Sequence, residues 1–270
     1  MSARFITASA RCLINAASPI TNYPFTMGMW VNPTGSTETD YLFFIGEQTT
    51  DNGFYLNITA QDLKFFAYDG VDFPSAEISI ATQGGSWSFV VMRGISATNR
   101  RLAVIKFDGA PAHAQSTTDV TLTAPATHMS IGAAADGTIN SPFDGLVGEF
   151  WYTDKDIQED GAELDNSLLR QLAYRGPFSV PHIKKDIIEY RSFRTRTINA
   201  YAPETYFGKL GPQTWTNTNG VTIGPHVPHA APWNKRYIRP GQRGGIITPL
   251  FVTDTPAVAG SGSLLLMGAN

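Results

Sequence analysis

From residue 1 to 153 the chain repeats short apolar or alternating runs between turn signals, and that rhythm leaves few folds open. The runs are Phe25–Val31, Tyr41–Ile45, Gly53–Ile58, Leu63–Tyr68, Trp87–Met92 and Leu102–Phe107. All have strand length, are rich in aromatic and β-branched residues, and are too short for ordinary helices. Asp-Gly pairs stand at 69–70, 108–109, 136–137 and 144–145. Both residues tolerate the positive φ angles of tight hairpin turns. Many short strands with recurrent turns predict an all-β, antiparallel sandwich or jelly roll.

The pattern changes at residue 154. Ile157, Leu164, Leu168 and Leu172 fall on one face of a helix predicted over 154–174; Gly161 interrupts its start and Gly176-Pro177 ends it. Beyond it, Ile187–Tyr190 reads as a strand, and 199–245 is dense in Pro, Gly, Asn and Thr. Residues 246–270 are nearly uncharged and apolar without a period. Such a segment is expected to dock on its own body or on a neighbour. Charge divides the chain in the same way. Residues 1–169 carry 8 Lys and Arg against 19 Asp and Glu, whereas 170–243 carry 12 against 3. The expected organisation is therefore a jelly roll over 1–175, a basic irregular extension over 176–243 and an apolar arm over 244–270.

Several function classes drop out. Cys12 is the one cysteine, which excludes a disulfide framework and a Cys-based zinc site. There is no apolar stretch of about 18 residues for a membrane helix. The start, Met1 to Phe5, lacks the apolar core of a signal peptide, so synthesis and folding in a cytoplasm are expected.

Landmarks along the chain then fall into a familiar order. Phe25-Thr-Met-Gly-Met-Trp30-Val-Asn-Pro33 is similar to an early strand of laminin-G-like domains. Trp87 to Met92, Leu102 to Gly109, Met129-Ser-Ile-Gly132 and Phe143-Asp-Gly145 through Tyr152 resemble their later strands. The resemblance implies a concanavalin A-like jelly roll with a short closing helix. Ala3-Arg-Phe5 and Pro24 to Met27, with Trp215 to Gly220, Gly224 to Pro228 and Arg239-Pro-Gly241, further resemble laminin-G-like structural proteins of tailed bacteriophages.

Laminarinase-type enzymes of this fold carry catalytic carboxylates two residues apart on one strand, which places them on one face. The nearest match, Glu163-Leu-Asp165, lacks the final Glu and lies in the predicted helix; Glu149 stands alone on its strand. No enzyme activity is expected. His226 and His229, flanking Pro228, read as loop histidines. The resemblance implies calcium as a cofactor candidate, held by rim carboxylates such as Asp51, Asp69, Asp72 and Asp136, although Asp is also an ordinary turn former. Trp30 and Trp87 lie in apolar runs and are expected in the core. Phe150, Trp151 and Tyr152 are consecutive, so one or two must face outward; this makes Trp151 or Tyr152 a candidate glycan contact unless the C-terminal segment covers them. Lys184, Lys185, Arg191, Arg194, Arg196, Arg236, Arg239 and Arg243 form the basic set. Nucleic acid is disfavoured because stacking aromatics are not interleaved with them. Protein partners fit better, since Arg pairs well with carboxylates in interfaces. The function expected first is a non-enzymatic virion protein of a tailed phage. It would decorate or cement the capsid as a homo-oligomer, binding the major capsid protein or other virion proteins through the extension and arm. The alternative is a tail or tail-fibre receptor-binding module that holds glycans.

Overall fold

The computed structural model describes residues 2–5, 12–34, 39–47, 49, 52–59, 62–71, 74–80, 86–106, 111–135, 139–191, 209–210, 215–218 and 221–224. The strands are β1 (Ser2–Phe5), β2 (Cys12–Asn15), β3 (Phe25–Pro33), β4 (Thr39–Gly46), β5 (Gly53–Thr59) and β6 (Asp62–Tyr68). They continue with β7 (Ser75–Ser79), β8 (Ser88–Ser96), β9 (Asn99–Lys106), β10 (Pro111–Ser116), β11 (His128–Ile131) and β12 (Ala134–Ala135). The last are β13 (Ile139–Asn140), β14 (Gly145–Thr153), β15 (Glu189–Arg191), β16 (Lys209–Leu210), β17 (Thr216–Thr218) and β18 (Thr222–Gly224). Two helices, α1 (Asn166–Arg175) and α2 (Pro181–Lys184), follow β14.

The strands form two large antiparallel sheets, the sandwich that the short runs predict. One has the order β10-β9-β8-β3-β14-β1-β18, with β15 added on β14 and β16 on β15. The other has the order β17-β2-β11-β4-β5-β6-β7. Period-two alternation explains how they pack. On β5, Phe54, Leu56 and Ile58 point between the sheets, where they meet Met27, Met29 and Val31 of β3, Val90 and Met92 of β8, and Leu102 and Val104 of β9.

The first sheet is covered on its other face as well. Trp30, Phe89, Val91, Ile105 and Trp151 join Ile157, Leu164, Leu169, Leu172, Val180, Ile183 and Ile187 in a second apolar layer beneath the helices. Arg93 of β8 fastens this cover: its guanidinium meets the Asp156 carboxylate at 2.6 and 2.7 Å and the Ala162 carbonyl at 2.6 Å.

The predicted helix is shorter than its periodicity suggests. Asp160 and Gly161 take positive φ in a 3-10 turn, and Asp165 caps α1 by accepting from the Ser167 and Leu168 amides at 2.7 and 3.1 Å. Ile157 and Leu164 are buried as expected, but from irregular chain before the helix.

The boundary expected at residue 175 also moves. Val180, Ile183 and Ile187 complete the outer apolar layer, and Trp215 and Val221 enter the central core. β15 pairs with β14, β17 with β2 and β18 with β1. Those parts of the expected extension are therefore woven into both sheets, because their apolar residues find burial there. The arm at 244–270 lies outside the described residues.

Candidate functional site on the outer face of the seven-stranded sheet

Among the described residues, the helical layer covers the first sheet, and the outer face of the second presents β-strand side chains to a groove. Pairing registers place these side chains in rows across β4, β5, β6 and β7. One row is Phe44, Tyr55, Phe66, Ser75; its neighbour is Tyr41, Asn57, Lys64, Glu77. A third is Thr39, Thr59, Asp62, Ser79. Adjacent strands lie about 4.8 Å apart and alternate residues about 7 Å apart along a strand, so the four strands present a surface about 14 Å across. A groove of about 510 Å³ runs over it, lined by Tyr41, Tyr55, Asn57, Lys64, Phe66, Tyr68 and Glu77 among others.

The aromatic row forms the floor. Tyr55 and Phe66 stack with centroids 5.0 Å apart and planes 7° from parallel. Tyr41 and Phe44, both on β4, lie 5.5 Å and 4.9 Å from Tyr55. Half-buried Tyr41 and Tyr68 flank this floor. The neighbouring row is polar. Lys64 Nζ and Glu77 Oε1 form an ion pair at 3.2 Å, and the Ser75 hydroxyl donates to the same carboxylate oxygen at 2.5 Å. The Ser75 hydroxyl is the main reason the Glu77 carboxyl sits below its ordinary value; Lys64 adds to this against slight desolvation. Thr39 and Thr59 share a hydroxyl hydrogen bond of 3.1 Å at one end.

Asn57 stands between them on central strand β5. It is 5% exposed, and its Oδ1 is buried without a hydrogen-bond partner. Buried polar atoms are paired in the great majority of cases, so an unpaired amide in the wall of a groove is a group suited to a ligand. The chemistry on offer is a largely buried aromatic floor, with Tyr55 3% and Phe66 9% exposed, one amide oxygen without a partner, one internally neutralised ion pair and several hydroxyls.

The site residues expected from sequence lie elsewhere. Trp151 and Tyr152 are 1% and 0% exposed, so neither presents a surface to solvent. A bulge at Glu149, whose φ is +33°, shifts the pairing of β14 with β3 between Gly148 and Phe150. Phe150 and Tyr152 then face the central core, and Trp151 enters the helical layer. Trp151 lies over Gly28, where a Cβ would come within 2.4 Å of the indole. Trp30 and Trp87 are buried as expected.

Arg191, expected to meet a partner, is instead an internal residue. It pairs with buried Glu189 and lies 5.7 Å from the Trp215 ring centroid. Glu189 also accepts from the Tyr152 hydroxyl at 2.8 Å and the Trp215 indole at 3.0 Å. Burial is the first cause pushing the Tyr152 phenol far above its usual value, and the Glu189 charge adds to it. Lys184 and Lys185 are exposed at the end of α2; Lys185 shares a small cleft with His182 and the Lys155–Asp186 pair, 3.1 Å apart. Arg194, Arg196, Arg236, Arg239 and Arg243, like His226 and His229, lie outside the described residues.

Of the calcium candidates, Asp69 is the one among the described residues. Asp69 serves its own turn, accepting from the Val71 amide at 3.0 Å. Asp51, Asp72 and Asp136 lie outside the described residues, among which no group of three His, Cys, Asp or Glu side chains converges on a metal position. The near match to a carboxylate pair dissolves too, since Asp165 is the α1 cap while exposed Glu163 faces His113 at 3.8 Å.

Sequence reasoning missed the groove. Its signal was present in the phase of each strand that faces away from the core: Tyr55 and Asn57 on β5, and Lys64, Phe66 and Tyr68 on β6.

Residues 7–160 match the family described as the concanavalin A-like lectin/glucanases superfamily. No curated protein matches. Among solved structures, tailspike protein 2 of Escherichia coli O157:H7 bacteriophage CAB120 is 16% identical at a TM-score of 0.51, over 70% of this chain. The match spans only 26% of the tailspike. The heptameric SAP-like pentraxin of Limulus polyphemus is 13% identical at a TM-score of 0.50, covering 80% of this chain and 89% of its own. The matched family segment takes in β2 to β14, and with them the strands that carry the groove, and the chain belongs to the concanavalin A-like lectin/glucanases superfamily.

Proposed function

We propose that the protein is a non-enzymatic carbohydrate-binding module of a phage particle, acting as a tail or tail-fibre receptor-binding element. The groove over β4 to β7 carries this reading: half-buried Tyr41 and Tyr68 over the Tyr55–Phe66 floor, beside the unpartnered Asn57 Oδ1. A sugar ring has an apolar face and a hydroxylated edge, and this surface offers a partner for each. The tailspike likeness supports the particle context, and the heptameric pentraxin likeness supports action as a homo-oligomer, in which several weak sites reinforce one another.

Binding of the full chain to the surface polysaccharide of a host cell tests the proposal. Tyr68→Ala, at a half-buried wall position, is expected to weaken binding about tenfold or more while circular dichroism stays unchanged. Unchanged binding in that variant would remove the groove from the mechanism. A second reading, capsid decoration or cementing, is kept in view by exposed Lys184 and Lys185 in the basic region. Copy number in purified particles separates the two: a handful of copies fits the tail, hundreds fit the capsid.

A further inference from the structure

We infer that the groove selects neutral saccharides and rejects carboxylated ones. This rests on the carbohydrate-binding reading of the same site and adds the class of sugar. Among the described residues lining the groove, Lys64 and Glu77 are the only acidic or basic side chains, and they face each other at 3.2 Å. The cation that an acidic sugar needs is therefore already committed. A ligand carboxylate approaching Lys64 also approaches the Glu77 carboxylate, which the Ser75 hydroxyl keeps in place and ionised. Like charges in a partly desolvated groove repel.

A neutral sugar meets no such conflict. Its hydroxyls can donate to Glu77 and accept from Lys64 without breaking their pair, and one further hydroxyl can reach the Asn57 amide, the one uncharged side chain of that row that is buried without a partner. The polar row lies about 7 Å along the strands from the aromatic row, so a ring held against the exposed parts of Tyr41 and Tyr68 turns an edge toward Asn57, Lys64 and Glu77. Asn57 is then the specificity-determining residue, and Glu77 the residue that excludes acidic ligands.

Matched oligosaccharides test this: lactose-series chains with and without a terminal sialic acid, and glucose-series chains with and without a glucuronate. Each is titrated into the full chain at about 50 mM and about 500 mM salt, where screening separates charge-driven binding from neutral binding. Neutral members are expected to bind about tenfold or more tighter than their acidic counterparts, with little change across the salt range. Glu77→Gln, at an exposed position, frees Lys64 and is expected to raise affinity for the acidic members about fivefold or more in low salt. Wild-type protein that prefers acidic members, with affinity lost in high salt, overturns the inference and leaves the carbohydrate-binding reading standing. Folded wild-type protein that binds no member of either series overturns the carbohydrate-binding reading, and the inference with it.

Discussion

Replacing Asn57 with leucine should make the protein more stable and less able to bind. Asn57 is 5% exposed on central strand β5, and its Oδ1 is buried without a partner. A buried polar atom left unsatisfied costs about 1–3 kcal/mol. Leucine is similar in shape and removes that cost, and its two methyl groups fall beside Tyr41 on β4 and the Lys64 stem on β6, its pairing neighbours. The expected gain is about 1–3 kcal/mol, which for a unit of this size corresponds to a rise of about 2–4 °C in Tm per kcal/mol. Equilibrium urea unfolding is the assay. The midpoint should move up while the slope stays constant, because the surface exposed on unfolding barely changes. In the same preparation, affinity for a bound oligosaccharide should fall about tenfold or more, since the amide supplies a hydrogen bond that leucine cannot. Destabilisation by more than about 1 kcal/mol would refute the reasoning, because it would mean that the amide already stabilises the free fold.

Two further outcomes follow from the core. Arg191→Met breaks the buried pair with Glu189 and should cost about 3–5 kcal/mol in urea unfolding, whereas a solvated ion pair would cost less than about 1. Stability should also fall on the alkaline side. Burial pushes the Cys12 thiol up to about 11 from 9.0, and the Tyr152 and Tyr23 phenols also lie above their usual values. Raised values hold the proton on in the folded state, so their stabilising effect is complete below the unfolded values and is lost as pH rises. For Cys12 the window is from about 9 to about 11, and the loss is on the order of 1–3 kcal/mol. Cys12→Ala should flatten the unfolding free energy across that window; an unchanged slope would exclude the thiol as its source.

The parts of the fold legible in the sequence are those whose signal is local. β3, β4, β5, β6, β8 and β9 each show period-two alternation or a continuous aromatic run, and each stands where a run predicts it. Local signals fail where pairing is distant. β15, β17 and β18 have three residues each, too few for any period, and their place is decided by strands far away in sequence. The charge boundary near residue 170 therefore does not mark a structural boundary: Arg191 is basic, yet it lies buried against Glu189. The three aromatics from Phe150 to Tyr152 pose a related difficulty. Alternation alone sends one or two outward, and only the bulge at Glu149 and the second apolar layer decide that nothing is exposed. The groove was half legible. Tyr55, Asn57, Lys64, Phe66 and Tyr68 occupy the outward phase of their strands, but the meeting of Asn57 with Lys64, and of Tyr55 with Phe66, depends on hairpin register.

The seam between the two ends of the sandwich sets the order in which it can form. β1 and β2 lie in different sheets, and β18 and β17 pair with them there, with Ser2 opposite Gly224 and Cys12 opposite Thr218. A ribosome has to release the chain to residue 224 before its first strands acquire these partners. Until then the earliest residues wait with open hydrogen-bonding edges, a state that invites pairing with other nascent chains. Closure by such distant partners also makes for slow folding, with loop-closure entropy lost before the contacts are gained. Among the described strands, the last to be made are thus the ones that seal the first.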